Sequence, residues 1–128
     1  MQVLKPHICV ERVFFRAGAI EALPGVLKEL GVTKALIVTD RGVASSGIVE
    51  RARALVEAAA VATAVYDTTD PEPGEGVPDG IADRYRHEGI DGVVGLGGGS
   101  CLDTAKVVAV MLAHGGKLFV GLVLAAAG

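Results

Sequence analysis

A chain of 128 residues that is 51% hydrophobic but only 4% aromatic calls for one domain, with a core of Val, Leu, Ile and Ala in the manner of helices packed on a buried parallel sheet. Its net charge of −3, with no cluster of Lys or Arg on one predicted face, excludes a nucleic-acid footprint. The two cysteines, Cys9 and Cys101, lie far apart without a C-x-x-C spacing, which argues against a zinc ribbon or a disulfide framework and for a reduced, cytoplasmic location.

At the N-terminus, Pro6 and His7 stand where a signal peptide needs an unbroken apolar core. Residues 10–15 read as a strand. Ile20, Leu23, Leu27 and Leu30 mark a short helix closed by Gly31, and Pro24 must lie in its first turn or bend it. Residues 35–39 form a continuous apolar, β-branched run that ends in Asp40-Arg41-Gly42, a buried strand leading into a turn. Ser45 or Ser46 is the expected cap of the next helix, which carries Ile48, Val49, Ala52, Leu55, Val56 and Ala59 on one face. A strand over 61–66 follows, then a long loop over 67–78, then a helix through Ile81 and Tyr85 that ends at Gly89.

Residues 93–96 are the next strand, and from Ser100 a helix places Leu102, Ala105, Ala109 and Leu112 on one face. Gly115-Gly116 lies beyond its end. Val107, Val108, Val110 and Met111 make that helix apolar nearly all round, so burial is expected. The apolar run 118–127 is too short to cross a bilayer and reads as a final strand. Strand and helix alternate from Ala35 onward, the signature of a parallel sheet wound with right-handed crossovers.

The chemistry concentrates at Gly97-Gly98-Gly99-Ser100, where an apolar strand runs through glycines into a helix. Glycines let a polyanion approach the backbone, and the first N–H groups of the helix together with its dipole favour phosphate. The generic dinucleotide fingerprint is met only in part, because Gly95-x-Gly97-x-x-Ser100 has Ser in the third position and no acidic residue follows about 20 positions later. A Walker loop fits worse. A tight strand-to-helix turn is the structural alternative.

Ligands of open parallel sheets lie beyond the carboxyl ends of the strands, where Asp40 also falls. Its carboxylate suits ribose hydroxyls, with a turn or Asx cap as the alternative, and Arg41 beside it could accommodate a 2′-phosphate. Cys101, at the helix start, is either a thiol of lowered pKa or a small packing residue. Asp83 and His87 have a D-x-x-x-H spacing that would place them on one helix face; a solvated surface is the simpler reading. Lys106 is expected to pair with Asp103 one turn away.

The segment Gly97-Gly98-Gly99-Ser100-Cys101-Leu102-Asp103-Thr104-Ala105-Lys106 resembles the GGGS-x-x-D-x-A-K signature of the iron-containing (group III) alcohol dehydrogenases. Ala17-Gly18-Ala19-Ile20, Ala35-Leu36-Ile37-Val38-Thr39-Asp40 before Gly42, and Ser46-Gly47 support the match, which covers roughly residues 13–116. The resemblance implies an α/β, Rossmann-like nucleotide-binding domain, an open and mostly parallel sheet with helices on both faces.

Its implied cofactor-binding set is Asp40 at the adenosine ribose, Gly97, Gly98, Gly99 and Ser100 at the pyrophosphate, and Asp103 beside the cofactor path. NAD is the implied cofactor, with NADP possible. Glu72-Pro73 stands where the family often has Asn-Pro at the adenine pocket.

The family's Pro-Thr-Thr-x-Gly-Thr-Gly-Ser-Glu segment is missing, as is the helical second domain that supplies an Asp and three His to Fe²⁺ or Zn²⁺. Residues 1–128 therefore read as a truncated or isolated dinucleotide-binding domain, with no catalytic or metal residue assigned. In a full-length enzyme the resemblance implies hydride transfer between NAD(P) and an alcohol or aldehyde; homo-oligomers are possible, and neither nucleic acid nor membrane is an expected partner. The alternative is a free-standing nucleotide- or phosphate-binding module without redox activity. The related sugar-phosphate cyclases and glycerol dehydrogenases also stay open, although Ser100 favours the alcohol dehydrogenase branch.

Overall fold

The computed structural model describes residues 12–14, 19–67, 77–112 and 119–124. Five strands, β1 (Arg12–Phe14), β2 (Lys34–Val38), β3 (Ala62–Tyr66), β4 (Gly92–Leu96) and β5 (Phe119–Leu124), form one sheet in the order β1-β5-β4-β2-β3. Every pairing is parallel. The helices are α1 (Leu23–Glu29), preceded by a 3₁₀ turn at Ala19–Ala22, then α2 (Arg41–Ser45), α3 (Ile48–Ala58), α4 (Val77–Tyr85) and α5 (Gly99–Leu112).

Alternation along the strands decides which helices cover which face. Ala35, Ile37, Val94 and Leu96 pack with Leu23 and Leu27 of α1 and Val49, Ala52 and Val56 of α3. Leu36, Val38 and Val93 pack on the opposite face with Ile81 and Tyr85 of α4 and Ala105, Val108 and Ala109 of α5. This gives the helix-on-both-faces Rossmann-like arrangement that the sequence implies. From β2 the chain winds out to β3, then crosses back to β4 on the other side of β2 and continues to β5. The winding direction therefore reverses between β2 and β4.

Local chemistry sets the boundaries. Gly31 closes α1 at φ +76°, a left-handed conformation that costs glycine little, and Pro24 sits in the first turn, where its missing N–H is harmless. At the amino ends of β2 and β4, the Asp91 carboxylate accepts from Thr33 N (2.9 Å), Thr33 Oγ1 (2.7 Å) and Lys34 N (2.9 Å). That clamp fixes the register of the two central strands far from the glycine turn.

Four expectations are corrected. The turn after β2 is a short helix, α2, because Asp40 caps it. The cap of α3 is Gly47 rather than Ser45 or Ser46, with Ser46 Oγ turned back to the carbonyl of Val43 at 2.6 Å. Helix α5 is not buried all round, since Val107 and Val110 are 41% and 63% exposed. The loop expected over 67–78 is shortened by α4, which begins at Val77, and Glu72, Pro73 and Cys9 lie outside the described residues.

Candidate functional site

The winding reverses between β2 and β4, and wound α/β sheets take ligands in the crevice at the carboxyl ends of such strands. Here the backbone of Thr39 and Asp40 after β2 makes one lip, and that of Gly97 and Gly98 after β4 makes the other. Thr39 is fully buried. Its N–H donates to the carbonyl of Tyr66 at 2.8 Å, and its hydroxyl donates to the carbonyl of Leu96 at 2.7 Å. One residue thus ties the end of β2 to both neighbouring strands at the point where their backbones diverge. No sequence signal beyond a polar residue at the end of an apolar run pointed to this bridge.

Gly97 and Gly98, after β4, do different work. Gly97 has φ +142°, and a Cβ there would lie 2.9 Å from Cys101 Sγ and 3.3 Å from Val43 Cγ2, so the fold itself demands glycine. Gly98 is exposed, has no positive φ, and a Cβ there would meet nothing within 4 Å. The protein has no packing reason for glycine at 98. Its carbonyl accepts the first bond of α5, from Leu102 N at 3.1 Å, so the N–H groups of Gly99 and Ser100, in the first turn, have no acceptor within the helix. Asp103, one turn on, is exposed.

Asp40 is half-buried and serves as the N-cap of α2, its Oδ1 accepting from Val43 N at 2.8 Å. The thiol of Cys101 approaches its other oxygen, Oδ2, at 3.5 Å. The cap reading and the ribose reading are compatible, because a carboxylate offers about four lone-pair directions. Arg41 is exposed beside it. Of the two readings of Cys101, the packing residue agrees with its full burial and the lowered pKa is overturned: burial first, then the negative charge and hydrogen bond of Asp40, push its thiol up to about 12 against the opposing effect of the Gly98 backbone. These outweigh the helix dipole.

Asp83 and His87 do not share a helix. α4 ends at Tyr85, His87 lies exposed in the following turn, and Asp83 pairs with Arg86 at 2.9 Å. Among the described residues no three His, Cys, Asp or Glu side chains converge to hold an ion, and no helix is long and apolar enough to cross a membrane.

A parallel sheet whose winding reverses beside a glycine turn that opens a helix defines a Rossmann-like α/β domain. The family model for iron-containing alcohol dehydrogenase matches residues 10–126, and the chain belongs to that family. It is 38% identical over 101 residues to a 4-hydroxybutyrate dehydrogenase of Cupriavidus necator, covering 79% of this chain and 26% of the relative. It is 35% identical over 102 residues to an NAD-dependent methanol dehydrogenase of Bacillus methanolicus, with coverages of 79% and 26%.

Among solved structures, a 1,3-propanediol oxidoreductase superposes with a TM-score of 0.73 at 31% identity over 83% of this chain and 28% of that one. An iron-containing alcohol dehydrogenase of Thermotoga maritima gives 0.71 at 32% identity over 80% and 28%. The chain spans about a quarter of the length of the curated relatives it matches.

Proposed function

We propose that residues 1–128 form a dinucleotide-binding domain that holds NAD(H) in the crevice between β2 and β4, as a part of hydride transfer between NAD(P) and an alcohol or aldehyde. The observation that carries this reading is Gly98, a glycine that neither backbone conformation nor packing requires, set at the N-terminus of a 14-residue helix at the switch point. In this reading the backbones of Gly97, Gly98, Gly99 and Ser100 cradle the pyrophosphate, and Asp40 accepts from the ribose hydroxyls. Asp103 lies beside the cofactor path.

The chain's own residues do three things here. The first-turn N–H groups of α5 bind and neutralise phosphate charge. The Thr39 bridge keeps the two lips at a fixed separation, and the apolar core beneath the crevice gives it a dry floor. The bound nicotinamide would supply or accept the hydride. The described residues do not fit a metal site, so no part of the reaction is assigned to an ion held by them. NAD is preferred over NADP because the charge of Asp40 opposes a 2′-phosphate at short range more than exposed Arg41 attracts it. A cytoplasmic setting agrees with the unpaired, buried thiol of Cys101.

Calorimetric titration of the chain with NADH tests the reading. Saturable binding at one equivalent is the expected outcome, whereas binding of inorganic pyrophosphate without any gain from the rest of the dinucleotide would reduce the site to a phosphate-binding turn.

A further inference from the structure

Cys101 is fully buried, and the dinucleotide reading gives its thiol no role. Its Sγ lies 3.5 Å from Asp40 Oδ2, across the crevice, while Asp40 Oδ1 is committed to the N–H of Val43. The two contacts come from different elements, the first turn of α5 and the first turn of α2. Together they fix both the position and the tilt of one carboxylate plane. The contact needs glycine at 97, because a Cβ there would lie 2.9 Å from the sulfur.

We propose that Cys101 is a positioning residue that sets the preference for NAD over NADP by holding the Asp40 carboxylate at the ribose end of the crevice. The inference rests on the dinucleotide reading above. A thiol is a weak donor, but its acceptor here is a carboxylate, which strengthens the bond. Burial and the neighbouring charge push the thiol up to about 12, so it remains protonated, and a donor, throughout the neutral range. Repulsion of a 2′-phosphate depends on where the carboxylate oxygens sit. Without the thiol, the carboxylate keeps its bond to Val43 and loses the contact that sets its tilt, and it turns toward solvent, where its charge is screened.

The test is calorimetric titration of the whole chain and of Cys101→Ala and Cys101→Ser with NADH and with NADPH. Wild type should favour NADH. Cys101→Ala should bind both nucleotides with the ratio of the two Kd values narrowed roughly threefold to tenfold, and Cys101→Ser, which restores a donor, should recover most of the ratio. If Cys101→Ala loses its circular dichroism spectrum, Cys101→Val supplies the non-donor variant with the same expected narrowing. A loss of affinity shared equally by both nucleotides, or an unchanged ratio, would assign Cys101 to packing alone and overturn the proposal while leaving the dinucleotide site intact. Equal binding of the two nucleotides by wild type would overturn it as well. Failure of wild type to bind either would instead overturn the dinucleotide reading, and this proposal with it.

Discussion

Asp40 caps α2, and one substitution separates that role from the one proposed for it at the ribose. Asn caps a helix about as well as Asp, so Asp40→Asn should keep the bond to Val43 N and the fold while removing the charge. The expected result is unchanged thermal unfolding within about 0.5 kcal/mol and a NADH-to-NADPH preference that shrinks or inverts; an unchanged ratio would remove Asp40 from the ribose site. Cys101 gives a pH signature. Its thiol is raised from 9.0 to about 12 in the folded chain, so between those values the unfolded chain has released a proton that the native chain still holds. Stability contributed by this group is complete below about pH 9 and falls as pH rises toward 12. Urea unfolding of wild type should therefore weaken more steeply over that window than unfolding of Cys101→Ala, and parallel slopes would contradict the burial of a protonated thiol.

At the scale of elements, the two sides of α5 and the underside of α1 should respond very differently to substitution. Leu27 is fully buried between α1 and the sheet, and Leu27→Ala should cost about 2–5 kcal/mol in urea unfolding. Val110 is 63% exposed, and Val110→Ser should change stability by no more than about 0.5 kcal/mol. This contrast also shows what sequence periodicity could and could not say. The strands were legible because 35–39 and 93–96 are apolar on both faces, and α3 because Val49, Ala52 and Val56 recur at helical spacing. The sequence of α5, apolar nearly all round, predicts burial and does not single out Val107 and Val110 as exposed, because Val carries no mark of which side faces water. Helix α2 is invisible for a different reason: five residues containing a glycine have no periodicity to detect, and its one local signal is the cap at Asp40.

In the molecule as a whole, the site exists because the winding reverses at β2 and β4, which brings residues about sixty positions apart into one crevice, as the Cys101 to Asp40 contact does. Sequence order could suggest that Asp40 and the glycine run both close strands. It could not show that those strands are neighbours, that Thr39 bridges them, or that packing requires glycine at 97 and not at 98. Gly97 is fixed by the fold; on the proposed reading, Gly98 is fixed by the ligand. That distinction is the central claim, and calorimetric titration of Gly98→Val with NADH tests it most directly, with circular dichroism and urea unfolding recorded on the same sample. The expected result is a folded spectrum, since a Cβ at 98 meets nothing within 4 Å, an unfolding free energy lowered by no more than the roughly 1 kcal/mol that a β-branched residue costs at a helix cap, and loss of measurable NADH binding. A folded Gly98→Val chain that binds NADH as wild type does would contradict it.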